Sequence, residues 1–435
     1  MNSRRRVSLL QAARLRLRSV LALIGALTLF LVLSFSVRAW YASGRHHAVP
    51  PELAIEAHLA AFPEEVRYFP RDSADIELLE KEFIDSWDRE KAFLHREDLP
   101  PTSYLAISGG GDRGAFGAGF LNGWTQAGTR PQFKLVTGVS TGALIAPFAF
   151  LGPEYDKTLK AIFTSVSQKD IEVRRFFASA LLDDALADTT PLAQLLKLHV
   201  NQALIDAIAA EYAKGRLLFI GTTDLDARRP VIWNVTKIAA SGRPESIELL
   251  RKVMLASAAI PGEFPPVMLD VVANGKNYQE MHVDGGATTQ IFLDWGAFPM
   301  QEVAVAQHAS RERKVYALVN FRLDPDWGEV ERRTLPITFQ AISTLIQYQV
   351  IMDLYRVYTT TQSDGIDFNL AYIPATFQAP HTAEFEPTFM RKLYEFGFKV
   401  AAAGYPWTKH PPLQIDSDHK QLTGQFSPVG AHPPK

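Results

Sequence analysis

Read for its hydrophobic and polar positions, the chain divides into an uncharged N-terminal run, a charged helical lead-in and a long body of alternating strand and helix patterns. Val20 to Val37 carries no charge (VLALIGALTLFLVLSFSV). At about 1.5 Å per residue, a helix here is roughly 27 Å long, close to the hydrocarbon thickness of a bilayer. Asp75–Leu94 sets Ile76, Leu79, Phe83, Trp87 and Phe93 at helical spacing. The body begins at Tyr104. Tyr104–Ile107 and Phe133–Val136 read as short strands, and Ala115–Gln126 and Thr141–Phe150 as the helices after them, despite Gly117, Gly119 and Gly123 in the first. Helical patterns dominate Asp156–Gly215. Leu217–Gly221 and Val231–Trp233 flank a turn at Asp224–Pro230, and Ile247–Ala258 is a helix stopped by Pro261. Val267–Val272 and Tyr278–Val283 read as a hairpin around Asn274-Gly275, a favoured type I′ pair. Val315–Asn320 is a further strand. Leu335–Tyr358 places Phe339, Ile342, Leu345, Ile346 and Ile351 as a core-facing helix would, in preference to a membrane-interface one. Strands alternating with helices predict an α/β fold whose mainly parallel sheet is covered on both faces.

Charge decides how the N-terminus is read. Arg4, Arg5, Arg6, Arg14, Arg16 and Arg18 precede the apolar run, and only Arg38 and Arg45 follow closely. The positive-inside rule keeps the N-terminus in the cytoplasm and places the rest of the chain outside, on a single membrane span. The alternative is a secreted or periplasmic protein cleaved after Ala39; the run is longer than the usual h-region of about 7–15 residues. The expected division is therefore 1–45 as anchor or signal segment, 46–100 as linker and helical lead-in, 101–375 as catalytic domain, and 376–435 as C-terminal helix and tail. His46 and His47 fall in the linker GRHHAVPP and read as solvated, not as metal ligands.

Composition narrows the function classes. Of 435 residues, 47% are hydrophobic and 21% charged, as in a globular protein with a sizeable core. The net charge of -2 and the lack of a basic stripe give no footprint for nucleic acid. There is no cysteine, which removes disulfides, thiolate catalysis and Cys-ligated metals.

Three motifs carry chemistry. Ser108-Gly109-Gly110-Gly111-Asp112-Arg113-Gly114 lies between a strand and a helix. Such a loop lets backbone approach a ligand closely, and the helix behind it offers unpaired N–H groups to an anion. Gly109, Gly111 and Gly114 satisfy the dinucleotide fingerprint, but that reading expects an acid about 20 residues on. None occurs between Arg113 and Pro153, so an oxyanion hole fits better. Gly138-Val139-Ser140-Thr141-Gly142 follows the second strand and opens an apolar helix, the setting of a nucleophile elbow. His282-Val283-Asp284-Gly285-Gly286 ends a strand; Asp284 supplies a base if burial raises its pKa.

In this order the three motifs resemble the patatin-like phospholipase family, as do Thr222–Asp226 and Ala256–Pro266, over roughly residues 102–325. The resemblance implies a three-layer α/β/α fold with a mainly parallel central sheet. It also implies a serine acyl-ester hydrolase acting on a membrane lipid or other acyl ester, without metal or cofactor. Carried over, it makes Ser140 the nucleophile, Asp284 the proton acceptor, and the N–H groups of Gly109, Gly110 and Gly111 the oxyanion hole. Arg113 and Gly114 support the loop; Gly138, Gly142, Gly285 and Gly286 complete the motifs. Ser108 stands where the family has an acid, so loop support is expected to differ. No protein partner is assigned. Two other readings stay open: a Ser-His-Asp α/β-hydrolase drawing on a late histidine such as His308, His381 or His410, and a non-catalytic lipid-binding protein of this fold. His282 is read as supporting Asp284 or packing, rather than acting directly.

Overall fold

The computed structural model describes residues 46–62, 66–175, 183–293, 300–325 and 329–412, with Leu27, Thr28, Phe30, Leu31 and Ser34. The expected span Val20–Val37 and the expected tail beyond Pro412 lie almost wholly outside these residues. No helix of the described residues is long and apolar enough to cross a membrane.

The elements run β1 (Arg67–Tyr68), α1 (Ser73–Leu94), β2 (Thr102–Ile107), α2 (Gly114–Gln126), β3 (Phe133–Val139), α3 (Thr141–Leu151), α4 (Asp156–Ser165) and α5 (Gln168–Ile171). Next come β4 (Val173–Arg174), β5 (Ala187–Asp188), α6 (Thr190–His199), α7 (Gln202–Ala213), β6 (Leu217–Asp224), β7 (Arg229–Asn234), α8 (Val235–Ala240) and α9 (Ser246–Ser257). The chain continues through β8 (Val267–Ala273), β9 (Lys276–Asp284), α10 (Met300–Ala306), β10 (Arg313–Val319), α11 (Thr334–Ser363), β11 (Asp367–Tyr372) and α12 (Pro387–Ala402).

A nine-stranded sheet in the order β1-β7-β6-β3-β2-β10-β11, with β9 on β6 and β8 on β9, organises the body. β6, β3, β2, β10 and β11 are parallel; β1, β7, β8 and β9 pair antiparallel. The β8–β9 hairpin turns at Asn274 and Gly275, whose φ values of 46° and 69° are the positive pair a type I′ turn requires.

Alternation sorts the side chains to two faces. Tyr104, Ala106, Leu135, Phe219, Val315, Ala317 and Phe368 share a core with Leu79, Phe83 and Trp87 of α1, Met300 of α10 and Val350, Leu354 and Val357 of α11. Lys134, at the start of β3, is buried and paired with Glu90 of α1 at 2.6 Å, which ties α1 to the sheet. On the other face, α3 lies on β3 and α2 packs beside it, with α12 along α2. The fold is thus a three-layer α/β/α arrangement about a largely parallel sheet.

The glycines of α2 have a packing role. A methyl on Gly119 would lie 2.0 Å from the Tyr394 carbonyl oxygen, and one on Gly123 2.1 Å from that of Phe398. α2 and α12 touch backbone to backbone, which only residues without a side chain permit.

α11 departs from its expected burial. Its second half packs into the core, with Val350, Ile351, Leu354 and Val357 buried. Its first half carries most of the exposed apolar residues: Leu345 is 70% accessible, and Ile337, Ile342 and Tyr348 are exposed, with Met352 exposed just beyond them. The apolar period predicts the helix but not where the neighbouring layer stops, and among the described residues that layer covers mainly the second half.

Candidate active site

The site forms at the carboxyl ends of the parallel strands, where open α/β sheets hold their ligands. One register places it. β3 pairs with Leu217–Gly221 of β6 and ends at Val139. Beyond that point β9 pairs with β6, with Asp284 opposite Thr222. The last residues of β9 therefore follow on from the end of β3, and Asp284 meets Ser140 there.

Ser140 occupies the turn between β3 and α3 with φ 55° and ψ −126°. A non-glycine residue at positive φ is strained and persists only when its surroundings hold it. They do so here: its N–H donates to Ser257 Oγ at 2.9 Å, and Ser257 Oγ donates to the Gly221 carbonyl at 2.7 Å. Gly142 must be glycine, because a methyl there would lie 2.4 Å from the Ile107 carbonyl oxygen and 2.6 Å from that of Ser108. Gly138 is crowded in the same way against Gly142.

The Asp284 carboxylate accepts the Gly286 N–H at 2.7 Å, and the Ser140 hydroxyl beside it also favours the ionised form. Both side chains are buried, Ser140 at 6% and Asp284 at 4% exposure. Burial pushes the Asp284 carboxyl up to about 7, against the Ser140 hydroxyl and the Gly286 N–H, which favour its ionised form. Gly285 and Gly286 form a short turn after β9. Among the described residues, no histidine bonds to Ser140 or Asp284.

The glycine-rich loop passes against this pair: a methyl on Gly109 would approach Ser140 Cβ to 3.1 Å. The three glycines are not equivalent. The Gly109 N–H donates to the Gln290 carbonyl at 3.2 Å, while the N–H groups of Gly110 and Gly111 have no partner among the described residues. Gly110 has φ 147° and its Cα faces Asn320, which holds the loop's start. Ser108 Oγ accepts from the Asn320 N–H at 2.8 Å and donates to the Gly109 carbonyl at 2.8 Å. Asn320 Nδ2 donates to the Ser108 carbonyl, and its Oδ1 accepts the Gly117 N–H. The Arg113 N–H donates to the Gly110 carbonyl at 3.0 Å, and Gly114 begins α2.

His282 is fully buried and turned to other partners. Thr222 Oγ1 accepts from Trp233 Nε1 and lies 3.0 Å from His282 Nδ1; His282 Nε2 lies 3.1 Å from Glu280. A hydroxyl that accepts from Trp233 can donate to Nδ1, which leaves Nε2–H for Glu280. Burial raises the Glu280 pKa but Arg67 and His282 outweigh it and hold Glu280 at about 2. His282 is a packing residue of β9.

Among the described residues, two cavities border the loop. One is a narrow apolar slot of about 60 Å³ bordered by Gly111, Thr141, Leu144, Leu192, Leu196 and His199. The other, about 580 Å³ and more polar, is lined by Arg113, Arg322, Gln378 and His381.

Motif reading missed Gln290, Asn320 and Ser257, and weighed His381 only as a candidate triad histidine. Ser257 lies in a stretch flagged as family-like but without a role. The others act through backbone contacts or over long separations, for which no local pattern exists.

Residues 105–294 match the family model described as patatin-like phospholipase. No curated protein matches the chain. Among solved structures, VipD from Legionella pneumophila is 11% identical with a TM-score of 0.34, covering 70% of this chain and 67% of that one. The type III effector protein ExoU is 12% identical with a TM-score of 0.21, covering 70% and 53%.

Proposed function

From the premise that residues 105–294 are a patatin-like phospholipase domain, and so a lipid acyl hydrolase domain, we propose that this chain cleaves acyl esters of lipids through a Ser140–Asp284 dyad. The observation that carries the reading is the register that brings a buried Asp284 beside Ser140 at the strand ends, its carboxyl pushed up to about 7 by burial. A serine hydroxyl needs such a neighbour, and a base with a pKa near the working pH serves best.

Ser140 Oγ attacks the ester carbonyl carbon while its proton passes to Asp284. The carbonyl oxygen becomes an oxyanion that accepts from the Gly110 and Gly111 N–H groups; Gly109, engaged by Gln290, sets the loop's position. The intermediate collapses with cleavage of the ester C–O bond, and the leaving alkoxide takes the proton from Asp284. Asp284 then removes a proton from water, whose oxygen attacks the acyl-enzyme. A second collapse releases the carboxylic acid and returns the proton to Ser140. The apolar lining of the slot beside Gly111 and Thr141 suits acyl methylenes, and the polar cavity at Arg113 and Arg322 suits an anionic headgroup.

The test is lipid profiling with the full chain against its Ser140→Ala variant, alongside labelling by a serine-directed phosphonate. Loss of both turnover and labelling in the variant supports the reading. Turnover that survives in Ser140→Ala defeats it. Comparing membrane and soluble fractions of the full chain and a chain lacking residues 1–45 tests the proposed N-terminal anchor separately.

A further inference from the structure

Asp112 follows Gly110 and Gly111 directly and has no part in the reaction above. Its carboxylate is 1% exposed, and one distant segment claims it. Asp112 Oδ2 accepts from His381 Nε2 at 2.7 Å and from the Phe385 N–H at 3.0 Å. The His381 ring lies on Phe389 of α12, with centroids 4.3 Å apart and planes 31° from parallel. α12 in turn packs against α2, which begins at Gly114 where the loop ends. The loop is therefore fixed at its start by Asn320, at its end by α2, and between these at Asp112. A methyl on Gly111 would meet nothing within 4 Å, so side-chain packing does not hold that residue.

We propose that His381 is a positioning residue: through Asp112 it holds the Gly110–Gly111 N–H groups where the oxyanion of the Ser140 reaction forms. This rests on the oxyanion role given to those glycines above. The hydrogen bond to Asp112 raises the His381 pKa, with Glu384 adding to it and burial and Arg113 opposing. Other charges at the same place are Glu172, Glu263 and Arg174, and Arg322 lines the adjoining cavity. A histidine with a raised folded pKa contributes its charge-assisted hydrogen bond below that pKa and loses it as pH rises through it. Asp284 must be ionised to act, which sets the acid limb near 7. The clamp weakens above the His381 pKa and sets an alkaline limb.

The experiment measures kcat and KM against pH for a soluble short-chain ester, using the wild type, His381→Ala and His381→Gln. His381→Ala is expected to lower kcat about 10- to 100-fold, the scale of a displaced oxyanion donor, with KM nearly unchanged. Both variants are expected to lose the alkaline limb. His381→Gln, which retains a neutral donor, is expected to recover part of kcat. Thermal unfolding checks that each variant is folded. Wild-type kcat with an intact alkaline limb in His381→Ala overturns the proposal. The ligand atoms of Asp112, His381 and Glu384 lie within 4.8 Å of one another, so a chelator arm is included. Activity abolished by chelator and restored by zinc would make the cluster a cation site and would also overturn it. Failure of the dyad reading is separable, because it shows as turnover in Ser140→Ala. In that event NMR titration of His381 with and without Asp112→Asn still reports whether Asp112 raises its pKa.

Discussion

The Gln290 N–H donates to Asp353 Oδ2 at 2.7 Å, joining α11 to both glycine loops of the site. The Gln290 carbonyl takes the Gly109 N–H, and its side-chain amide donates to the Gly286 carbonyl at 2.9 Å. One residue thus sets the distance between the oxyanion loop and the turn after Asp284. Asp353→Ala leaves the buried Gln290 N–H without an acceptor, a loss of about 1–3 kcal/mol. The expected result is a lower urea midpoint with a kcat reduced on the order of 10-fold or more. Asp353→Asn keeps an acceptor and is expected to stay close to wild type in both. Equal losses in the two variants would show that the charge, not the acceptor, is what matters.

Asp284 gives the site its pH dependence in two opposite senses. Hydrolysis needs the carboxylate, so kcat/KM is expected to rise with pH through about 7. Stability moves the other way. The folded pKa lies above the ordinary value of 3.8, so the folded state binds the proton more tightly than the unfolded chain does. This group's contribution is fully present below about 4 and is lost as pH rises to about 7. Asp284→Asn removes the burden of the buried charge. It is expected to be inactive yet more stable than wild type at pH 8, on the scale of a few kcal/mol, with little difference at pH 4. Denaturant titrations at the two pH values check this. A variant less stable at pH 8 would mean that the ionised carboxylate is a net support of the fold.

The α2–α12 contact offers a prediction whose sign separates two effects. Helix propensity alone says that Gly123→Ala stabilises by about 1 kcal/mol. The methyl would sit 2.1 Å from the Phe398 carbonyl oxygen, a backbone atom that cannot rotate away. Overpacking of this kind costs about 1–3 kcal/mol or more. Net destabilisation is expected for Gly119→Ala and Gly123→Ala, whereas Gly128→Ala, in open space at φ 70°, tests backbone strain alone. Equilibrium unfolding of the three variants decides.

These residues also show what was legible in the sequence. The elbow at Ser140 and the hairpin at Asn274-Gly275 were readable because a few adjacent residues determine a turn. The helix at α2 was readable in extent, but not the reason for its glycines, since that reason is Tyr394 and Phe398 far along the chain. β11 was not read: Asp367–Tyr372 mixes polar and apolar residues and is a strand because β10 pairs with it. The meeting of Ser140 with Asp284 was inferred from motif order, while its geometric cause is the length of β3 relative to β6. The Asp112–His381 contact spans 269 residues, and the motif that holds Asp112 says nothing of its partner.

The narrow slot predicts chain-length behaviour. Its lining includes Gly111 of the loop and Thr141, the residue after Ser140, together with Leu192, Leu196 and His199 of α6. A saturated acyl chain gains from such a slot in proportion to the apolar surface it buries, at about 0.8 kcal/mol per methylene. Filling the wall with Leu192→Trp leaves the Ser140 end open and shortens the accessible depth. Butyryl esters, which need only the mouth, are expected to keep their kcat/KM within about twofold. Palmitoyl esters lose several methylene contacts, and discrimination of roughly 10- to 200-fold is the scale for such a change in an apolar pocket. A ratio of kcat/KM across a series of chain lengths measures the effect independently of enzyme concentration. If Leu192→Trp lowers both ends of the series equally, the acyl chain runs elsewhere, and the wider cavity at Arg113 and Arg322 becomes the place to look for it.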